Sequence, residues 1–353
     1  MREKMSNRIP TLLSVVVPCF NEQEVLELTH RRLIEALGDS ISFDLEIVYV
    51  NDGSRDRTEE ILFDLAEAES RVKVISLSRN FGHQPAITAG LDYAAGNIVA
   101  VIDADLQDPP ELIVSMVTKW REGFDVVYGV RTKRKEGLLK RLSYNVFYRL
   151  YRYFARVEIP LDSGDFALLD RRVVDLLNSL PERNRFIRGL RAWTGFRQAG
   201  LVYERGARAA GDAKYNFRKL FKLAFDGIFN FSTAPLTIIF ITGLITSLMS
   251  VLATLVYLIA RIGDYKIFGY SPGDARGFTT LILAILFFSG IQLISLGIIG
   301  EYLGRLYQES KMRPIYVVKE VRGEKYAASI QAQNRLHAAD EPQYDSSTKS
   351  TGS

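Results

Sequence analysis

Asn97-Ile-Val-Ala-Val-Ile-Asp103-Ala-Asp105-Leu-Gln107-Asp-Pro-Pro110 is the stretch on which the fold turns. Its first half is a short apolar run without alternation, the pattern of a strand buried on both faces of a parallel sheet. Its second half is polar and begins where the strand ends. Open α/β sheets hold their ligands at that edge. Two carboxylates and an amide there form an oxygen-rich cradle suited to a hard divalent cation, which would in turn grip a nucleotide diphosphate. Two solvated turn carboxylates are the plainer alternative for an isolated Asp-x-Asp.

Working outward, strand-like and helix-like segments alternate on both sides of this stretch. Residues 11–17, 44–50, 72–77, 98–102 and 125–129 read as strands. Residues 22–37, 57–68, 85–95 and 109–120 read as helices, with Pro109 and Pro110 suited to a first turn. Strands separated by helices predict an α/β class with a parallel, doubly wound sheet. The first strand then ends in Pro18-Cys-Phe-Asn21-Glu22 and the second in Asn51-Asp52-Gly-Ser54, at the same edge as Asp103 and Asp105. Asp52 is placed to accept hydrogen bonds from a base or ribose, and the helix N-termini there favour anions. Asn21 and Ser54 also read as ordinary helix N-caps.

The composition narrows the class. One cysteine among 353 residues, Cys19, excludes an internal disulfide framework and a Cys-clustered zinc site. It reads as a small buried residue. The net charge of +4 is mild, but residues 131–156 carry nine Lys/Arg against one Glu. Overlapping them, residues 137–157 place Leu138, Leu142, Val146, Leu150 and Phe154 on one helical face beside an arc of arginines. This basic amphipathic pattern suits a membrane interface; a helix packed on its own domain is the alternative. Residues 214–231 have the same character. Trp193 and the tyrosines between Tyr144 and Tyr153 suit an interfacial belt. No nucleic-acid partner is expected.

Residues 235–260 and 278–300 contain no charged side chain. Each exceeds the ~20 residues that span a bilayer. The flanks, Lys214 to Lys222 before and Arg305, Lys311 and Arg313 after, are more basic than the loop between the spans. The positive-inside rule places both flanks and the α/β domain in the cytosol. No signal peptide is apparent before residue 17. Expected boundaries are therefore 1–136 for the nucleotide and metal core, and 137–231 for the acceptor side and juxtamembrane helices. Residues 232–302 form a transmembrane hairpin, 303–322 a cytosolic segment, and 323–353 a polar, disordered tail.

Four clusters in order, Pro18-x-x-Asn21-Glu22, Asn51-Asp52-Gly-Ser54, Ser78-Arg-Asn-Phe-Gly82 and Asp103 to Pro110, resemble the family 2 glycosyltransferases of GT-A (Rossmann-like) fold. More narrowly, the chain resembles polyprenyl-phosphate glycosyltransferases of the bactoprenol glucosyltransferase branch, akin to dolichyl-phosphate mannose synthase. Further matches are Ser163-Gly-Asp165-Phe166, Pro181-Glu-Arg-x-Arg185-Phe186, Arg208-x-x-Gly211-x-x-Lys214-Tyr215, and Gly300-Glu-Tyr-Leu-Gly-Arg305-x-Tyr307. The resemblance covers about residues 12–314.

It implies that Asp103, Asp105 and Gln107 surround Mg²⁺ or Mn²⁺ and the sugar-nucleotide diphosphate. Pro18, Asn21, Glu22 and Asp52, with Ser54 beside them, would line the nucleotide pocket. Arg208 and Lys214 would close over phosphates, although Ala213 stands where relatives often carry a hydroxyl. Arg131 would hold the acceptor phosphate. Asp165 is the candidate catalytic carboxylate by the same resemblance; a helix N-cap is its plainer role. The expected reaction is inverting transfer of a hexose, UDP-glucose being the first donor considered, to undecaprenyl phosphate at the cytosolic membrane face. Galactose, an amino sugar, formamido-arabinose and GDP-mannose remain as alternative donors. A processive polysaccharide synthase is disfavoured by the missing Gln-x-x-Arg-Trp, and a dead scaffold by the intact Asp105 and Gln107. The family includes tetramers, so a homo-oligomer is expected. His83, following Asn80-Phe-Gly82, could touch substrate but reads more simply as an incidental loop histidine, and His30 and His337 have no partners at ligand spacing.

Overall fold

The computed structural model of the protein describes residues 12–38, 43–131, 163–204, 234–263 and 277–323. The basic stretch 137–157, the segment 214–231, Arg208, Lys214 and the tail beyond 323 lie outside the described residues.

The predicted alternation folds as β1 (Leu12–Cys19), α1 (Leu26–Leu37), β2 (Asp44–Asn51), α2 (Thr58–Ala68), β3 (Val72–Leu77), α3 (His83–Tyr93), β4 (Ile98–Val101), α4 (Leu112–Arg121) and β5 (Val126–Arg131). Then come β6 (Ser163–Asp170), α5 (Arg171–Ser179), α6 (Ile187–Trp193) and β7 (Gln198–Tyr203). Two long helices follow, α7 (Ala234–Ile262) and α8 (Phe278–Ser310), and the chain returns in β8 (Val318–Arg322).

The eight strands form one sheet in the order β7-β5-β6-β4-β1-β2-β3-β8. β1 lies parallel between β2 and β4, with Val15 opposite Ile47 on one side and Ala100 on the other. Both faces of these strands are apolar because both are covered. Val15, Ile47, Val74 and Ala100 pack with Leu33, Leu62, Met116 and Trp120 of α1, α2 and α4. Their neighbours Val16, Val48, Ile75 and Val99 pack with Ile87, Leu91, Val173, Leu177 and Leu190 of α3, α5 and α6. Coverage on two faces is the physical reason the strand sequences lack alternation.

Several expectations are corrected. The sheet is mixed rather than wholly parallel: β6 runs antiparallel between β4 and β5, and β8 antiparallel along β3. α1 begins at Leu26, not residue 22, because the Asn21–Gln23 backbone is engaged by the neighbouring loop. Pro109 and Pro110 precede α4 in a turn that donates Leu112 N to Pro109 O and Ile113 N to Pro110 O. The segment after the second apolar stretch is not merely a cytosolic extension. It supplies β8, and Ser78 N donates to Val317 O at 2.9 Å.

The two apolar stretches fold as helices of 29 and 33 residues. Among the described residues, all the large exposed apolar side chains except Leu28, Trp193, Val202, Met312 and Val317 belong to them. Apolar surface on that scale marks a lipid or protein interface. Phe287–Ser310 is long and apolar enough to cross a membrane; Leu236–Met249 is a shorter apolar segment.

Candidate active site

Three loops at the carboxyl ends of β1, β2 and β3 are laced together before any ligand is considered. Asp52 N donates to Cys19 O at 2.9 Å, Asn21 N to Ser54 Oγ at 3.1 Å, and Arg55 N to Asn21 Oδ1 at 2.9 Å. Ser54 N donates to Asn51 Oδ1 at 3.0 Å, and Glu22 N to Thr58 Oγ1 at 2.9 Å. Asn21 takes a positive φ of 54°, a region Asn tolerates better than most residues. The helix caps are Val25 and Arg57, so Asn21 and Ser54 fasten one loop to the other rather than capping helices.

Asp52 ties in the third loop. It is 3% exposed, and its carboxylate accepts from Phe81 N at 2.7 Å and Gly82 N at 2.9 Å. Burial pushes its pKa up against the pull of those two amides. Gly53 is required beside it: φ is +63°, and a Cβ there would lie 2.4 Å from the Arg79 carbonyl carbon. The Ser78–Gly82 motif is thus the partner of Asn51–Ser54, and Asp52 already serves the backbone of that loop.

The loop after β4 alternates. Asp103, Asp105 and Gln107 are partly exposed, whereas Ala104, Leu106 and Asp108 are buried. Thr29 Oγ1 of α1 donates to Ala104 O at 2.7 Å, and Gln107 N donates to Asp105 Oδ1 at 3.1 Å. Leu106, buried between the two partly exposed polar residues, adopts φ 56°, a costly conformation for a residue other than glycine. The wholly buried Asp108 accepts from the Tyr203 hydroxyl and pairs with Arg131 Nη2 at 3.5 Å. Arg131 Nε donates to Tyr203 Oη at 3.2 Å, and its guanidinium lies where a Gly164 Cβ would come within 2.8 Å. Arg131 is therefore a fixed cation, partly exposed at the end of β5.

Antiparallel β6 brings Asp165 to the same place. It is not a helix N-cap; that role belongs to Asp170, whose carboxylate accepts from Arg172 N. Asp165 accepts from Gln84 Nε2 at 3.2 Å and from Arg188 Nη2 at 3.3 Å, and meets His83 Nε2 at 3.3 Å. Burial favours its neutral form, but Arg188 and His83 outweigh that and hold the carboxyl well below the usual range. His83 also faces Asp103 Oδ1 at 3.6 Å. Its pKa is pushed up to about 9: burial pulls downward, and the Asp165 hydrogen bond and the Asp103 charge prevail.

His83 therefore lines the cleft, and Gln84, Asp108, Arg188 and Tyr203 join it as cleft residues that the sequence did not single out. The position of His83 directly after the Ser78–Gly82 motif was the available signal. Asp103, Asp105, Gln107, Arg131 and Asp165 come together at one edge of the sheet, with the Pro18–Glu22 and Asn51–Ser54 loops beside them. Arg208 and Lys214 cannot be placed, being outside the described residues.

Among the described residues, no group of three or more His, Cys, Asp or Glu side chains is arranged to hold a metal. The residues nevertheless suit a hard divalent cation whose remaining ligands come from a substrate diphosphate. Asp103 is pushed up by burial and by Asp108, Asp165 and Asp105 around it, against the pull of His83, and Arg131 also feels its charge. A cation beside Asp103 and Asp105 would offset the burial that disfavours the ionised carboxylate.

Residues 14–177 match the family model described as Glycosyl transferase family 2. The uncharacterized glycosyltransferase YkcC of Bacillus subtilis (strain 168) is 47% identical over 88% of this chain and 94% of its own length. The uncharacterized glycosyltransferase sll0501 of Synechocystis sp. is 46% identical, over 89% and 96%. A prophage bactoprenol glucosyl transferase homolog of Escherichia coli (strain K12) is 41% identical, over 88% and 99%. Identity at this level across nearly the whole chain, joined to a GT-A sheet with its acidic loop at the ligand edge, leaves one conclusion: the chain belongs to glycosyl transferase family 2 and is a glycosyltransferase.

Proposed function

We propose that the protein transfers glucose from UDP-glucose to undecaprenyl phosphate at the cytosolic face of the membrane, with inversion at the anomeric carbon. The observation that carries this reading is the 41% identity, over 88% of the chain, to a relative named as a bactoprenol glucosyl transferase homolog. The cleft is consistent with it.

The acceptor phosphate, with a second pKa near ~6, is largely dianionic at neutral pH. Such a nucleophile needs no general base, and Asp165, held ionised by Arg188 and His83, is poorly suited to be one. Its carboxylate instead fixes the two cations around it. A phosphate oxygen attacks the anomeric carbon, the bond from that carbon to the diphosphate oxygen breaks, and UDP leaves with the electron pair. Arg131, anchored by Asp108 and Tyr203, would hold the acceptor phosphate. Asp103, Asp105 and Gln107 would hold Mg²⁺ or Mn²⁺, which supplies Lewis-acid stabilisation of the departing diphosphate. The loops containing Asn21, Glu22, Asp52 and Ser54 would frame the nucleotide, Arg208 and Lys214 would close over it, and the basic residues 131–156 would draw the acidic lipid to the surface.

In this reading α7 and α8 both cross the membrane as a hairpin, the connecting residues facing outward. The exposed apolar surface of both helices supports it. The small residues Gly243, Ser247, Gly290 and Gly297 permit close packing between copies, consistent with a homo-oligomer.

The test is transfer from a panel of radiolabelled nucleotide sugars to undecaprenyl phosphate in membranes, with Mg²⁺, Mn²⁺ or EDTA. The expected result is a chloroform-extractable labelled lipid from UDP-glucose, abolished by EDTA. Label from another donor alone would replace the sugar and keep the reaction. No labelled lipid from any donor would overturn the reading.

A further inference from the structure

The end of α8 is bonded to the catalytic domain at a point that leads into the cleft. Arg183 N donates to both carboxylate oxygens of Glu309, at 3.0 and 3.1 Å, and Asn184 N donates to Oε1 at 3.0 Å. Arg183 adds a second attachment, Nη1 donating to Arg313 O at 3.0 Å. Next to them Arg185 is 8% exposed, and its guanidinium donates to the carbonyls of Leu177, Leu180 and Glu182 at 2.9, 2.7 and 3.1 Å. This gives the Pro181–Phe186 motif a physical role: it is a backbone segment held from both sides.

The segment runs straight into α6. The first amide of that helix, Ile187 N, donates to Gln84 Oε1 at 2.8 Å, and the same Gln84 donates through Nε2 to Asp165. Arg188 follows, paired with Asp165. Hydrogen bonds at the two ends of the short backbone segment 183–187 thus join Glu309, at the end of the apolar helix, to the carboxylate in the cleft. Charged acceptors make stronger hydrogen bonds to backbone amides than neutral ones, so a carboxylate at position 309 is an effective anchor.

We propose that Glu309 is a positioning residue for glycosyl transfer: by holding the amides of Arg183 and Asn184, it sets Ile187 and Arg188 in place against Gln84 and Asp165. The active site is then fully assembled only when the end of α8 is docked. Other contacts dock the same region without meeting the Arg183 and Asn184 amides that Glu309 holds. Tyr316 Oη donates to Asp92 Oδ2 at 2.6 Å, and β8 pairs with β3. They provide the control, since a purely structural role for Glu309 would make it resemble Tyr316.

The inference rests on the proposed reaction, and the experiment separates the two. Glu309→Ala, Glu309→Gln and Tyr316→Phe are compared in the full-length protein by melting temperature, by kcat and KM for lipid-linked glucose formation, and by amide hydrogen exchange. Glu309→Ala is expected to lower kcat about tenfold to a hundredfold, the scale of a small misplacement near the chemistry. Glu309→Gln, which keeps an acceptor oxygen, recovers part of that loss. Tyr316→Phe lowers the melting temperature and leaves kcat unchanged. Exchange in Glu309→Ala quickens at Ile187 and Arg188 as well as at Arg183 and Asn184. Quickening confined to Arg183 and Asn184, or an unaltered kcat in folded Glu309→Ala, would overturn the proposal. Should the unmodified protein make no lipid product, the proposed reaction fails, and the exchange pattern, which needs no turnover, still decides the role of Glu309.

Discussion

At the scale of single residues, the cleft is built from side chains that hold one another. Asp52 gives both oxygens to the Phe81 and Gly82 amides, and Gly53 next to it can be nothing larger because the Arg79 backbone lies against its Cα. Gly53→Ala must therefore shift the loop containing His83. It is expected to destabilise the protein by about 1–3 kcal/mol, read as a lowered melting temperature, with activity falling further than the folded fraction. Asp103, Asp105 and Gln107 were legible in the sequence because strand, carboxylates and amide are neighbours in the chain. His83 was legible only in its place directly after Ser78–Gly82; what draws it into the cleft is Asp165, far away in sequence and on another strand. Asp165 itself was legible only by resemblance, and its role as the ionised hub of His83, Gln84 and Arg188 needed the geometry.

At the scale of elements, the parallel strands β1 to β4 were readable because burial on both faces demands unbroken apolar runs. β6 and β8 escaped for opposite reasons. Ser163-Gly-Asp165 opens β6 with residues that disfavour strands, and Val318-Lys-Glu-Val-Arg322 is a short charged strand at the sheet edge. Charges on an edge strand deter pairing with another chain, but they also hide the strand from a hydropathy reading. The junction of β6 and α5 shows how tightly this part is fixed. Asp170 caps α5, accepting from Arg172 N, and accepts from Trp120 Nε1 at 2.9 Å. Burial alone would raise its pKa; Trp120 and Arg172 outweigh it and hold the carboxyl below its ordinary value. A depressed folded-state pKa contributes stability that is present above the unfolded value of ~3.9 and lost as the pH falls through the folded value. Asp170→Asn is therefore expected to cost about 1 kcal/mol at pH 7. The difference from the unmodified protein shrinks below about pH 4 in urea unfolding measured across pH. A difference that stays constant down to pH 2 would show that the charge is not what Asp170 contributes.

At the scale of the whole molecule, the chain leaves the catalytic sheet, forms two long apolar helices, and comes back to complete the same sheet with β8. Lys319 pairs with Glu59 at 3.1 Å and Arg322 with Glu67 at 3.3 Å, so the returning segment is held along α2 as well as along β3. The end of α8 and the catalytic domain are consequently on one side of any membrane that α8 crosses. The sequence disclosed the apolar stretches and the sign of their flanks; it did not disclose that the last of them is tied back to the cleft, because that tie consists of backbone amides meeting one carboxylate. Service of the oxygen-rich loop after β4 in sugar transfer to a lipid phosphate is tested most directly by the rate of labelled-lipid formation from UDP-glucose and undecaprenyl phosphate by the unmodified protein and by Asp105→Asn, both shown to be folded and membrane-inserted. The expected result is metal-dependent product from the unmodified protein and a loss of at least about a hundredfold in Asp105→Asn. Undiminished turnover in Asp105→Asn would rule out that role for the loop.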